Sequence, residues 1–207
     1  MIRENVVRER TLGRAAGLAA IILVLAAHPA PAVPTAAGQA VEYKPYVMDH
    51  DYFSCEVPAA WDLERDAEED EEYRIFEFYV HAPAPRTSIN VRYLLKDNED
   101  FAGYQNFLDR NSKNVLGETK NSRESYGPVE KVALAGLPAF RLRRDRMVFL
   151  HPESKSDESA SLKELLYVVP ISDGSFYVLE YSADASAYET YLPVFEHVAA
   201  SLKPGIK

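Results

Sequence analysis

The chain has 207 residues, 47% hydrophobic and 27% charged, which is enough apolar material for the core of a globular domain. Its net charge is −9, and because residues 1–40 contribute +2, the rest of the chain carries −11, which disfavours binding to nucleic acid or anionic lipid. The single cysteine, Cys55, excludes an internal disulfide and a cysteine-based zinc site.

An export signal is predicted over residues 1–32. A basic stretch is followed by an unbroken apolar run of 13 residues, 15–27, which has the length of a secretory signal but is shorter than the roughly 20 residues that span a bilayer. Cleavage is predicted after Ala32, with cleavage after Ala40 or retention as a membrane anchor as alternatives. We therefore expect a periplasmic or extracellular protein, in contact with a membrane only if the signal stays uncleaved.

A flexible linker over residues 33–50 is predicted to lead into one folded domain over residues 51–207. The beginning of the linker is rich in Ala, Pro and Gly and has no hydrophobic period. Within the domain, the segment 62–72 holds eight carboxylates and one arginine. It lacks the spaced oxygen ligands and the glycine of a calcium loop, so a solvated loop is predicted there. Cys55 is expected to be a small core residue rather than a reactive thiol.

Strands and helices follow from the hydrophobic period. Strands are predicted near residues 52–58, 73–80, 87–95, 129–134, 140–150, 162–170 and 175–182, and helices near 101–110 and from about 186 to 202. The strongest turn signals are Gly136 and the Asp173-Gly174 pair, because glycine permits the positive φ of a tight turn. Short strands joined by short turns favour antiparallel pairing. The predicted fold class is α+β, an antiparallel β-sheet flanked by helices.

Three local motifs resemble the PsbP-like family, which includes the extrinsic PsbP subunit of photosystem II and exported bacterial proteins of unknown function. They are the strand Phe53–Val57 with the following Pro58-Ala59-Ala60-Trp61 turn, the segment Ala135-Gly136-Leu137-Pro138-Ala139-Phe140, and the final Ser201-Leu202-Lys203. The resemblance covers about residues 51–203. It implies an α/β/α sandwich and a non-enzymatic accessory or binding role, and it transfers no catalytic residue. Nothing in the sequence ties the chain to photosystem II.

The sequence holds no recognised catalytic motif, so no catalytic residue and no cofactor are predicted. The tripeptide Asp49, His50 and Asp51 is the densest group of possible metal ligands. In an extended chain its side chains point to opposite faces, whereas a metal site needs three or more converging ligands. Whether these residues bind a metal ion stays open at this point.

Arginines after the Gly136 turn form the candidate partner-binding surface. Arg141 and Arg143 are predicted to share one face of a strand, close to Arg144 and Arg146. Guanidinium groups bind carboxylates in a bidentate manner, so this surface could bind an acidic partner. The alternative is that these arginines pair with the chain's own 62–72 segment or with a neighbouring strand.

The function predicted from the sequence is an exported, non-enzymatic adaptor or accessory module that binds a protein partner in the cell envelope. The alternative is a carrier of a small ligand or metal ion, which would use a pocket between sheet and helix. An exported hydrolase ranks third, because the sequence shows no nucleophile paired with a base.

Overall fold

The computed structural model describes residues 40–154 and 156–205. The predicted signal peptide and its cleavage position Ala32 lie outside the described residues. The strands are β1 Tyr43–Val47, β2 Phe53–Pro58, β3 Asp62–Glu64, β4 Ile75–His81, β5 Ser88–Leu94, β6 Glu124–Tyr126, β7 Glu130–Leu134, β8 Leu137–Phe149, β9 Ser159–Pro170, β10 Phe176–Asp184 and β11 Lys203–Pro204, and the helices are α1 Ala67–Tyr73, α2 Tyr104–Asn111 and α3 Tyr188–Ala200. None of these helices has the length and apolar character needed to cross a membrane.

Eight of these strands form one large sheet, in the order β3-β4-β5-β10-β9-β8-β6, with β7 also paired to β8. The remaining three form a small sheet in the order β1-β2-β11. The strand pairs are antiparallel. The predicted α+β class, with an antiparallel sheet flanked by helices, is confirmed.

Alternate residues of the large sheet face two separate cores, as the two-residue period of a strand requires. One face packs against α2 through Leu94, Phe107, Leu142, Leu166, Val168, Phe176 and Val178. The other face packs against α3 and the small sheet through residues that include Phe53, Phe78, Leu165, Leu179, Tyr181 and Phe195. This face of the large sheet is therefore covered by both α3 and the small sheet. In the predicted sandwich, helices alone cover it.

The two predicted tight turns are present. Ala135 and Gly136 lie between the paired residues Leu134 and Leu137 and have φ values of +49° and +80°, the conformation of the two-residue turns preferred in hairpins. Between β9 and β10, Gly174 has a φ of +96° and its N–H donates to the carbonyl of Ile171 at 3.2 Å. Glycine at these positions thus fixes the register of two hairpins.

Part of the predicted flexible linker is a strand. Residues Tyr43–Val47 form β1 and pair with β2, from Tyr43 opposite Pro58 to Val47 opposite Ser54. The ring of Tyr46 packs on Phe78 at a centroid distance of 4.2 Å. The linker prediction is wrong over this segment. Its two tyrosines supply apolar area for packing, whereas the Ala, Pro and Gly content of the preceding residues indicates a linker.

The acidic segment 62–72 is not a solvated loop but contains β3 and most of α1. The side chain of Asp70 is only 3% exposed. Arg65 donates to Asp70 Oδ2 from Nε at 3.0 Å and from Nη2 at 2.6 Å, and the N–H of Glu77 donates to Asp70 Oδ1 at 3.2 Å. The single arginine of the segment therefore neutralises a buried carboxylate, which explains why a run of like charge can fold here.

Candidate partner-binding surface

Arg141 and Arg143 lie on the same face of β8, as predicted, on the side of the sheet that α3 covers. Arg141 Nε donates to Glu130 Oε2 on β7 at 2.7 Å. This hydrogen bond raises the pKa of Arg141 above its ordinary value. For Arg141, the alternative of pairing with a neighbouring strand is therefore correct, and its guanidinium is already occupied.

Arg143 differs from its neighbour in having no internal counter-ion. Its side chain is exposed, and it forms no ion pair within the ranges 40–154 and 156–205. It lies opposite Leu165 of β9 and close enough to Tyr188 to lower the pKa of that phenol, although burial holds the Tyr188 pKa at about 12 overall. Of the two predicted partner-binding residues, Arg143 alone keeps its guanidinium available.

Arg144 and Arg146 lie on the opposite face of β8 and converge on Glu164 of β9. Both guanidinium groups donate to this carboxylate, whose side chain is 1% exposed. Arg144 also donates from Nη1 to Asn111 Oδ1 of α2 at 2.9 Å and from Nη2 to Glu180 Oε1 of β10 at 2.7 Å. These two arginines therefore stabilise the sheet and the end of α2 rather than face a partner.

The charged network continues across the sheet. Glu180 also accepts a hydrogen bond from Arg92 Nη2 of β5 at 2.9 Å. Burial by itself would lower the pKa of Arg144, but Glu180 and Glu164 raise it above its ordinary value. The network joins β5, β10, β9 and β8 on the face beside α2. We call its members the buried ion network: Arg92, Glu180, Glu164, Arg144 and Arg146.

The tripeptide Asp49, His50 and Asp51 does not form a metal-binding group. Asp49 Oδ2 accepts a hydrogen bond from Arg65 Nη2 at 3.0 Å, which lowers the Asp49 pKa, and His50 Nε2 lies 2.9 Å from Glu71 Oε1. Within the described part of the chain, no three His, Cys, Asp or Glu side chains converge as metal ligands. Asp49 and His50 thus each interact with an oppositely charged side chain of the chain itself.

Cys55 lies in the core, as expected. The residue is 4% exposed, and burial, reinforced by the nearby Glu56, raises the pKa of its thiol to about 12. A thiol protonated at neutral pH is a poor nucleophile. Cys55 is therefore not a candidate functional group.

Two concave regions bear on the alternative of a small-ligand carrier. One, of about 350 Å³, lies beside α1 and β4 and is lined by Glu64, Arg65, Asp66, Asp70, Tyr73, Ile75, Glu77, Tyr79 and Asp100. The other, of about 370 Å³, lies beside β11 and is lined by Tyr52, Tyr93, Ile171, Ser172, Asp173, Tyr177, Pro204 and Gly205. The first is acidic and the second is aromatic, and neither contains the predicted partner-binding arginines.

Among the large apolar side chains that the structure describes, the two most exposed lie on a tight turn after α2. Val115 is fully exposed and Leu116 is 79% exposed. Single exposed apolar residues are common on protein surfaces, whereas adjacent ones add to one contiguous apolar surface. We call residues Asn114–Gly117 the apolar turn.

Asn114 holds the apolar turn in one conformation. The N–H groups of Leu116 and Glu118 both donate to Asn114 Oδ1 at 2.9 Å. The N–H of Gly117 donates to the carbonyl of Asn114 at 2.9 Å, and Asn114 Nδ2 donates to Glu118 Oε2 at 3.0 Å. Gly117 has a φ of +82°, which a residue with a side chain rarely adopts. The turn is therefore preorganised with its two aliphatic side chains outward.

A groove adjoins the apolar turn. It has a volume of about 490 Å³ and is lined by Asp109, Arg110, Lys113, Asn114, Val115, Glu124 and Tyr126. One wall is the end of α2 and the other is β6. Val115 therefore contributes both to a projection and to the concave surface beside it.

None of the sequence-based predictions covers the apolar turn, although a signal for it is present. Val115 and Leu116 stand between Asn114 and Gly117 in a polar segment. Asparagine and glycine at those positions indicate a turn, and the middle residues of a turn point to solvent. Aliphatic residues at such positions are a feature that sequence reasoning could have detected.

Comparison with known proteins concerns the fold. The chain matches no protein-family model and no curated protein. It is similar to the solution structure of PsbP (CyanoP) from the cyanobacterium Synechocystis sp. PCC 6803, with a TM-score of 0.49 and 12% identity over 87% of this chain and 98% of that chain. A member of the family that the sequence motifs resemble is thus among the similar solved structures.

Two further solved structures are similar, with lower TM-scores. One is a crystal structure from Bacteroides thetaiotaomicron VPI-5482, with a TM-score of 0.48 and 12% identity over 79% of this chain and 49% of that chain, so this chain spans about half its length. The other is LpqN of Mycobacterium tuberculosis, described as involved in cell envelope biogenesis, with a TM-score of 0.38 and 11% identity over 83% of this chain and 98% of that chain. These similarities assign no residue, ligand or partner to this chain.

Proposed function

We propose that this protein is an exported, non-enzymatic accessory module that binds a protein partner in the cell envelope through the apolar turn. The observation that carries the proposal is the exposure of Val115 and Leu116 on a turn whose backbone N–H groups donate hydrogen bonds to the Asn114 side chain. Export is inferred from the amino-terminal signal in the sequence. The non-enzymatic role is inferred from the lack of catalytic motifs in the sequence, and both remain predictions.

The energetics favour a binding role for these two side chains. Complete burial of a valine or leucine side chain is worth about 1.5–3 kcal/mol, so both together offer about 3–6 kcal/mol to an interface. Because the turn is already ordered, little conformational entropy is lost on binding. A millimolar dissociation constant corresponds to about −4 kcal/mol, so the two anchors need further contacts from the surrounding surface to form a stable complex.

The test is a crosslinked pull-down with the tagged full-length chain expressed in its own host. Val115→Ser combined with Leu116→Ser is expected to reduce recovery of the stoichiometric partner at least tenfold, with no change in melting temperature, because both side chains are exposed. Val47→Ser is the matched control, since Val47 is 56% exposed on β1. Equal recovery by the double variant and the control would refute the assignment of the turn as the binding site.

A further inference from the structure

We infer that the cavity beside β11 binds a small organic cation, an ammonium group carried on an apolar or aromatic body. We call it the tyrosine cavity, because Tyr52, Tyr93 and Tyr177 lie in its lining. Its volume of about 370 Å³ falls within the roughly 300–1,000 Å³ of small-molecule pockets. It shares no lining residue with the apolar turn, so this inference is independent of the proposed function.

The three tyrosines form an uncharged aromatic wall. The Tyr93 ring contacts the other two, with centroid distances of 4.9 Å to Tyr52 and 4.8 Å to Tyr177. The Tyr177 hydroxyl donates to the carbonyl of Tyr52 at 2.8 Å, and burial raises the pKa of Tyr177 above its ordinary value. Tyr177 is therefore held in place as a neutral phenol. Phenol rings attract cations such as the ammonium group of an amine.

The hydroxyl group of Tyr93 is available to a ligand. Tyr93 is only 4% exposed, yet its hydroxyl makes no hydrogen bond within the ranges 40–154 and 156–205. Buried hydroxyl groups in folded proteins normally have a hydrogen-bond partner. Because Tyr93 lines the tyrosine cavity, a molecule bound there can supply that partner.

Asp173 supplies the charge of the cavity. Among the described residues that line it, Asp173 is the one with an ionised side chain at neutral pH. Its Oδ1 accepts a hydrogen bond from the N–H of Ser175 at 2.8 Å, and it forms no ion pair within the described part of the chain. Lys96 approaches the same turn, since its Cβ lies 3.4 Å from where a Cβ on Gly174 would be, but it does not line the cavity. The Asp173 carboxylate therefore keeps an oxygen for a ligand.

The charge of the lining identifies the class of ligand. The described lining carries one negative charge and no positive one, in a chain whose residues after position 40 carry −11. An anionic ligand is repelled by both. A neutral aromatic ligand contacts the rings but leaves the carboxylate without a counter-ion, and a metal ion needs three or more ligands where the lining offers one carboxylate. An amine on an apolar body uses the carboxylate and the rings together.

Titration of the full-length chain with phenethylamine tests the inference, with 2-phenylethanol as a neutral probe of similar shape. Backbone amide chemical shifts report where each probe binds and how tightly. Phenethylamine is expected to shift the amides of Asp173, Gly174 and Gly205 and to bind at least about tenfold more tightly than 2-phenylethanol. Equal affinities of the two probes would overturn the cationic class. No shift of these amides at millimolar concentrations of either probe would overturn the site.

Two variants assign the binding to the cavity. Asp173→Asn removes the charge but keeps a side-chain oxygen for the N–H of Ser175, so the melting temperature is expected to stay unchanged. It should weaken phenethylamine binding at least about tenfold and leave 2-phenylethanol binding unaltered. Asp157→Asn, the same charge change at an exposed position, is the matched control and should bind as the unaltered chain does. Tyr93→Phe, which removes the hydroxyl alone, is also expected to weaken phenethylamine binding. Unaltered affinity in both Asp173→Asn and Tyr93→Phe would overturn the assignment.

Discussion

Replacing Glu164 by alanine is expected to lower the free energy of unfolding by about 3–5 kcal/mol, the usual cost of removing one partner from a buried ion pair. Glu164 is the acceptor for both Arg144 and Arg146, and its side chain is 1% exposed. Without it, Glu180 is the one counter-ion left within the described ranges for the Arg144 guanidinium, itself 13% exposed. Urea denaturation of the purified chain measures the loss as a lower midpoint at constant slope.

Glu130→Ala is the matched control, because it also removes a glutamate that pairs with an arginine of β8. The Glu130 side chain is 40% exposed and Arg141 is 29% exposed. Exposed pairs contribute about 0–1 kcal/mol, so the control is expected to change the free energy of unfolding by less than about 1 kcal/mol. If the two variants lose similar free energies of unfolding, burial of the ion network adds no more stability than an ordinary surface ion pair.

Gly205→Ala is expected to detach the end of the chain from β2. A Cβ atom at this position would lie 1.9 Å from the carbonyl oxygen of Asp51 and 2.8 Å from that of Tyr52. These are backbone atoms and cannot rotate away, and the N–H of Gly205 donates to the Tyr52 carbonyl at 2.8 Å. Overpacking of this kind costs about 1–3 kcal/mol. Hydrogen exchange should show loss of protection at Lys203 and Gly205.

The control for this variant is Gly127→Ala. A Cβ atom on Gly127 would approach the carbonyl oxygen of Arg143 to 3.3 Å, which a shift of a few tenths of an ångström relieves. It is therefore expected to cost less than Gly205→Ala and to leave the amides of β11 protected. Unchanged protection of β11 in Gly205→Ala would contradict the close approach seen between Gly205 and Asp51.

Much of the fold could be predicted, because its strongest local signals agree with its packing. Gly136 and Gly174 occupy the positive-φ positions of two hairpins. The alternation of Phe140 and Leu142 with Arg141 and Arg143 correctly separates the residues of β8 that face opposite sides of the sheet. The strand Tyr43–Val47 falls within the predicted linker, because a five-residue segment that contains a proline has too little hydrophobic periodicity to be predicted as a strand.

The partners of the buried charges could not be predicted, because they depend on strand register and not on local pattern. In the sequence, Asp70 is one of a run of carboxylates. Only the ion pair with Arg65 in the folded structure identifies it as the buried one. Glu164 shares a strand face with Leu162 and Leu166, which indicates an inward position. Its partners became evident only from the pairing of β8 with β9, which places Arg144 directly opposite.

The sequence predicts a different surface from the apolar turn. The positive charge of the β8 arginines indicates a binding surface, yet within the described ranges internal glutamates pair with all of them except Arg143. The apolar turn was overlooked, because aliphatic residues in a polar loop resemble ordinary loop variation until their exposure is measured. In the proposed function, Val115 and Leu116 form a binding surface at a place where sequence and folding pattern disagree.

The measurement that tests the central claim most directly is site-specific photo-crosslinking in the native host. A photoreactive phenylalanine derivative in place of Leu116 reports contacts of the apolar turn, and the same residue in place of Val47, which is 56% exposed, reports contacts of another exposed apolar position. If the turn binds a protein partner, illumination should produce one discrete adduct from position 116 and none from position 47. No adduct from position 116, or equal adducts from both positions, would contradict the account.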